Sequence, residues 1–384
     1  MSRYINSLLL FLFLAILELV FSKLPPNQIT NMVKLSELLR NNLASDFPWN
    51  NKTNSNPCLW KGVLCNSTSS SITKVFLSGF SLSTSHFLPV LCQIDTLRSI
   101  YLSNNHLSEI PNGFMIGCGE IGGSKLLNFS MNKLSSPLPT FHGFGMLEFL
   151  DLSHNFLDGE IHLQLDGLVG LKSLNLSHNQ FSGSVPELAS CRNLSQVDLS
   201  ANRLSGSVPE TFSQLSELEI LNLQGNNLSG RIPDSIGNLN SLLELQVGMN
   251  RLIGNITSLP TNLQIGLEVL DLSNNSFSGE IPRFLTGMAG LKQVLLSNNQ
   301  LSVVVPKFET YVVVVTNGNK GLIYPPAAAL QSPPASPKKE TVSVAVVVVA
   351  GVFTVGVVEV IALSVYKRCY RINDEQLEPE EGLA

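Results

Sequence analysis

Apolar and polar positions recur along this chain with a period close to 24 residues. The chain reads LKSLNLSHNQFSGSVP from Leu171, LSQVDLSANRLSGSVP from Leu194, LEILNLQGNNLSGRIP from Leu218 and LEVLDLSNNSFSGEIP from Leu267, and LEFLDLSHNFLDGEI from Leu147 has the same form. Counted on the Asn of LxxLxLxxNxLxGxIP, the copies fall at Asn105, Asn132, Asn155, Asn179, Asn202, Asn226, Asn250, Asn275 and Asn299, in steps of 23 to 27 residues. A fixed spacing of this size marks a stacked-coil solenoid, one supersecondary unit per copy.

Each copy has a physical reading. The alternation in LxL predicts a short strand, with Leu174 and Leu176 inward and Asn175 outward. The Asn that follows sits at the bend, where its amide has a donor and an acceptor for backbone groups that a buried turn leaves unpaired. Stacked copies therefore predict an internal ladder of asparagines. One coil cannot bury its own leucines, so the array is the unit of folding. Gly183, Gly206, Gly230 and Gly279, each followed by a Pro three residues on, supply a permissive and then a rigid residue where the coil turns outward.

This pattern resembles the plant-type extracellular leucine-rich repeat of plant receptor-like kinases and receptor-like proteins, from about Trp49 to Pro306. The fold expected is an α/β leucine-rich-repeat solenoid of about ten repeats with a helical N-terminal cap and one transmembrane helix. The resemblance also implies that outward strand positions on the concave face bind peptides, other small ligands or co-receptor proteins.

The remaining segments are read in order. Residues 1–22, with Arg3 ahead of an apolar core from Leu8 to Leu17, read as a secretory signal peptide. Residues 23–73 form the cap. Ile29, Met32, Val33, Leu35, Leu38, Leu39 and Leu43 recur at helical spacing. Trp49 and PCLWKGVLC match the cap motif of the resembled family, implying a Cys58–Cys65 disulfide in a secreted chain. Repeats then fill 74–315. Phe80 stands at the first ladder position, as suits an edge coil packed on a cap. Glu109, Ser136 and Val303 replace the Gly, His162 and Thr257 replace the Pro, and the early coils around Gly117 to Gly123 read as loosely formed. Cys92 and Cys118 share a column on adjacent coils, so a bridge and two buried small side chains are both compatible with the spacing; Cys191 reads as a buried hydrophobe. A Pro, Ala and Ser-rich linker spans 316–341. The apolar run 342–366 is long enough to cross a bilayer, and Lys367, Arg368 and Arg371 follow it at the start of a short cytoplasmic tail, 367–384. No kinase motif fits in the tail.

Composition narrows the chemistry. A net charge of -5 with 14% charged residues and no basic patch gives no sign of a nucleic-acid partner, and none is expected. Gly117, Gly119 and Gly122 spell GxGxxG, but between two solenoid strands rather than in a βαβ unit, so they read as structural. His154 and His178 stack one period apart; two ligands are too few for a structural zinc site, and a solvated pair is expected. No catalytic constellation, cofactor site or metal site is called for. Eight sequons, at Asn51, Asn66, Asn128, Asn175, Asn193, Asn227, Asn255 and Asn274, become glycosylation sites in an exported chain, and glycans on Asn128 or Asn175 would obstruct the concave face. The candidate binding column is Tyr101, Asn128, Asp151, Asn175, Asp198, Asn222, Gln246 and Asp271.

The function expected is that of a non-enzymatic, single-pass type I receptor-like protein of the plasma membrane. It would recognise an extracellular peptide or protein and signal through a membrane-bound co-receptor kinase. Two other readings stay open, a wall-binding module resembling polygalacturonase inhibitors and a truncated relative of a receptor kinase.

Overall fold

The strand leucines are buried as the alternation requires: Leu174 and Leu176 are sealed from solvent and Asn175 between them is not. The structure is a computed structural model and describes residues 24–42, 47–49, 55–161, 164–165, 167–260 and 266–324. The segments 1–22 and 342–366, the tail 367–384, Asn51 and His162 lie outside those residues, as does the linker beyond 324. Among the described residues no helix is long and apolar enough to cross a membrane.

Three-residue strands such as Ser173–Asn175 and Gln196–Asp198 pair in parallel and in register into a sheet of twelve strands, opened by one antiparallel partner at Val63–Cys65. Six strands from Ser205–Gly206 to Gly321–Ile323 make a second parallel sheet after the ladder asparagines, and three more, from Ser135–Pro137 to Gln180–Phe181, do the same for earlier coils. One continuous leucine core runs between these sheets and the short helical turns, from Leu24 to Leu322.

The asparagine ladder is present and complete in its hydrogen bonds. Asn202 Nδ2 donates to Leu176 O of the preceding coil (3.0 Å) and to Leu199 O and Ser200 O of its own coil, while its Oδ1 accepts from Phe181 N at 3.0 Å. A single amide thus closes the bend in its own coil and ties that coil to the one before. The same set recurs at Asn132, Asn155 and Asn179.

The ladder goes further than the spacing suggests. Asn319, 20 residues after Asn299, donates to Leu296 O and Thr316 O at 2.9 Å and accepts from Leu301 N. Val313–Val315 joins the main sheet and Gly321–Ile323 the second one. The coil expected to end at 315 therefore continues to Ile323; its shorter step and its valines in place of leucines hid it.

At the other end the cap closes the core. In the helix Pro26–Asn42, Met32, Leu35 and Leu39 are buried. The amide of buried Gln28 donates to Asp95 Oδ1 and Thr96 Oγ1 at 2.9 Å and accepts from Ile72 N, locking the helix to the first parallel strand. Trp49 Nε1 donates to Lys61 O, Trp49 packs on Trp60, and Phe47 meets the Phe80 ring edge-on at 5.1 Å. Phe80 thus contacts the cap as expected. Cys58 and Cys65 are disulfide-bonded, as are Cys92 and Cys118, and Cys191 is buried.

The early coils are not loose. Asn112–Ile121 is a helix ending on Gly122 in the left-handed region. A Cβ on Gly119 would overlap His142 O, and one on Gly143 would overlap Gly119 O, so the glycines there permit close approach of adjacent coils. The GxGxxG stretch is packing, not a phosphate loop.

The Gly of GxIP also has a conformational reason. Gly159, Gly183, Gly206, Gly230 and Gly279 all have φ between 76° and 89°, and Val303 is held at 73° in the same place. A β-branched residue is strained there. Val303→Gly is expected to stabilise the fold by about 1 kcal/mol, the left-handed penalty less the entropy of glycine; urea denaturation checks it. Asn202→Ala, which leaves the buried Phe181 N–H without a partner and takes one donor from each of three carbonyls that keep another, is expected to cost about 1–3 kcal/mol in the same measurement.

Candidate ligand-binding face

A three-residue strand with its middle residue inward offers two outward side chains, so the main sheet carries two columns. In the second column register pairs Tyr101 with Asn128, Asn128 with Asp151, and so on through Asn175, Asp198, Asn222, Gln246 and Asp271. All eight candidate residues lie in one file. With adjacent strands about 4.8 Å apart it is some 34 Å long. The file begins at Phe76, whose ring stacks on Tyr101 at 4.3 Å, and continues to Leu295 and Val315.

Most of these side chains are partly committed to the fold. The Oδ1 of Asn128, Asp151, Asn175, Asp198, Asn222 and Asp271 accepts from the backbone N–H two residues on, and at Asn128, Asp151 and Asn175 also from the serine hydroxyl there. The turn needs one oxygen, which Asn and Asp supply equally. From Asn128 to Asn222 they alternate strictly, which keeps carboxylates two strands, about 10 Å, apart rather than on adjacent strands.

Burial raises the pKa of Asp151, Asp198 and Asp271, against the hydrogen bonds that lower it; the Asp198 charge further raises that of Asp151. Asp271 is closed off most completely. Gly248 leaves room for its carboxylate, since a Cβ there would stand 2.8 Å from both oxygens, and Gln224 Nε2 lies 3.4 Å from Oδ2. Beside it the buried Gln246 donates to Glu244 Oε2 at 3.1 Å. Where Ser follows the column in the neighbouring coils, Gln224 and Gly248 stand here, and that departure makes room for this polar cluster.

The other outward column was missing from the candidate residues. Among polar neighbours it holds half-buried Phe149 and Val269 and exposed Val313, while Leu126 and Ile220 in the same column are buried, so Phe149, Val269 and Val313 offer the apolar contact beside carboxylates and amides. The x before the strand leucine is its signal, obscured because the repeat consensus leaves that position free.

His154 and His178 stack with rings 4.1 Å apart at the exposed end of their strands. Burial and then the His178 charge lower the His154 pKa, favouring the neutral imidazole. Among the described residues no group of three metal donors converges. At the strand entry Glu148 lies between Lys125 (2.7 Å) and Lys172 (2.8 Å), whose hydrogen bonds lower its pKa, and Lys292 meets Glu268 at 2.6 Å. Of the sequons, Asn128 and Asn175 are on this face, and Asn193, Asn227 and Asn255 are exposed elsewhere. Asn66, Asn193 and Asn274 donate through Nδ2 to Ser70 Oγ, Val169 O and Ser273 Oγ.

Two models described as leucine-rich repeats match residues 192–252 and, in four pieces, 96–115, 146–168, 170–191 and 266–288. Receptor like protein 21 of Arabidopsis thaliana is 31% identical over 156 residues, 38% of this chain and 16% of that protein. The Arabidopsis receptor kinase HAESA, solved in complex with the peptide hormone IDA and the co-receptor SERK1, is similar at TM-score 0.53 and 28% identity, over 71% of this chain and 54% of that one. A plant ice-binding protein is similar at TM-score 0.62 and 26% identity, over 79% of this chain and 99% of that one. The chain spans less than a fifth of the length of the first curated relatives it matches.

The raised carboxyls fix the sign of a pH effect. An Asp whose folded pKa exceeds its unfolded value favours the fold fully at low pH, and that contribution is lost as pH rises through the raised value. Asp198→Asn, which copies the amides on both adjacent strands, is therefore expected to raise Tm near pH 7 and to leave it almost unchanged near pH 3. Calorimetry at the two pH values checks this; a lower Tm near pH 7 would show the charge to be stabilised.

Proposed function

From the premise that this chain is a leucine-rich-repeat protein similar to plant receptor-like proteins and receptor kinases, we propose that the exposed face of its main sheet receives an extracellular peptide or protein. The carrying observation is the unbroken two-column register across that sheet. An extended chain laid across the strands meets apolar Phe149 and Val269 in one column and the carboxylates and amides of Asp151, Asn175 and Asp198 in the other. Such a pairing of apolar contact with fixed polar groups is what peptide recognition uses. The similarity to HAESA, solved with a peptide hormone and a co-receptor, supports the same reading.

On this reading residues 1–22 act as a signal peptide and the apolar run 342–366 as a membrane anchor, so that this face lies outside a plasma membrane in a type I orientation. On this reading the chain contributes recognition only, and a membrane-bound kinase joined from the side contributes catalysis.

One observation favours a second reading. The plant ice-binding protein is covered almost whole, and strands of the second sheet here carry Ser205, Ser229, Ser278 and Ser302, each just before the turn position of Gly206, Gly230, Gly279 and Val303. On that reading the second sheet, not the first, is the working surface.

The full chain displayed on plant cells and challenged with a library of extracellular peptides separates the two. Saturable peptide binding that Phe149→Ala with Asp198→Ala weakens at least about tenfold, 1.4 kcal/mol, is the expected outcome. No saturable binding, together with inhibited ice growth by the same protein, would favour the second reading.

A further inference from the structure

We propose that the groove on the outer flank beside Asn255 holds the first sugars of an N-linked glycan carried by Asn255 itself. The inference rests on the reading of the chain as exported.

The local fold singles this sequon out. In the coils on either side Pro233 and Pro282 follow the outer strand and precede five-residue 3-10 turns, but here Thr257 stands in their place, inside a shorter 3-10 turn, Ile256–Ser258. Thr257 has the backbone N–H that a proline lacks, and Asn255 Oδ1 accepts it at 2.9 Å, along with the Thr257 hydroxyl at 2.5 Å. The oxygen of the carboxamide is therefore committed to the turn. In the hydrogen bonds described, Nδ2 of Asn255 is not used, whereas at Asn66, Asn193 and Asn274 it donates to the protein. Asn128 and Asn175 sit instead within strands of the main sheet, half-buried.

Next to this turn is a groove of about 490 Å³ with Asn255 in its wall. Its apolar surface comes from Ile253, half exposed, with Ile256, Leu259 and Phe277 behind it, and Glu210 and Arg231 stand on its rim. A pyranose ring has an apolar C–H face and a polar hydroxyl edge, so it needs an apolar wall with charged hydrogen-bonding groups beside it. The groove offers both, and a glycan tethered at its wall requires no separate binding event.

The modification balances simply. Nδ2 attacks the anomeric carbon of a lipid-diphosphate-linked oligosaccharide supplied by the secretory pathway. A C–N bond forms, the C–O bond to the diphosphate breaks with its electron pair going to the leaving diphosphate, and Nδ2 gives up one proton.

The test uses the full chain expressed in plant cells, with occupancy read by peptide mass spectrometry and native glycans then trimmed by an endoglycosidase. Asn227, exposed on the same flank, is the internal reference. The expected result is an occupied Asn255 whose glycan is trimmed several-fold more slowly than that of Asn227. Ile253→Ser, which keeps the sequon and the turn but removes the apolar wall, is expected to bring the two rates together. An occupied Asn227 with a bare Asn255, equal trimming rates in the unsubstituted protein, or no effect of Ile253→Ser on the Asn255 rate would each overturn the proposal. If every sequon is bare, the exported reading falls with it.

Discussion

The solenoid depends on one hydrogen-bonding constraint. A coil of about 24 residues bends sharply straight after a three-residue strand, and at that bend backbone groups point into a leucine interior that offers them nothing. Water cannot reach them, and an unpaired buried carbonyl or N–H costs about as much as a whole side-chain contact gains. The Asn amide meets this need with two donors and an acceptor in a side chain short enough to stay inside the bend. Because one of its carbonyl partners and its N–H partner belong to the preceding coil, closing one bend fixes the position of its neighbour. Stacking and local folding are therefore one event.

That constraint shapes the surface that meets solvent. Strands held in register by the ladder carry aligned side chains, so any property given to one outward position becomes a file along the molecule. A file of aspartates would repel itself at the strand spacing, and the alternation of Asp with Asn removes the conflict while leaving an oxygen for every turn. Specificity then falls to groups the repeat does not dictate: the accessible apolar positions Phe149 and Val269, and the enclosed group of Glu244, Gln246 and Asp271 where Gly248 opens space.

The two ends resolve the remaining problem of a stacked core in different ways. At the start a helix, two tryptophans, a disulfide and the buried Gln28 amide cover the first coil. At the other end Asn319 is the last ladder residue among the described residues, and there the strands Val313–Val315 and Gly321–Ile323 each have a partner on one side. Val313, Ile323 and Tyr324 are exposed on this last described coil.

The sequence by itself determined the coil and its ladder, because a period, an alternation and an obligatory amide are local properties repeated until they are unmistakable. It also determined the column from Tyr101 to Asp271, since a shared period puts equivalent residues in register. It could not show which of two meanings a local departure has. The glycines near Gly119 read as looseness until the carbonyls of His142 and Gly119 were seen to occupy the space a side chain would need. The coil around Asn319 was hidden because its step and its apolar residues changed together, and only its hydrogen bonds identify it. The joining of Cys92 to Cys118, the closure around Asp271 and the groove beside Asn255 belong to tertiary structure for the same reason. Each depends on the distance between residues of different coils, and that distance is set by how the coils pack.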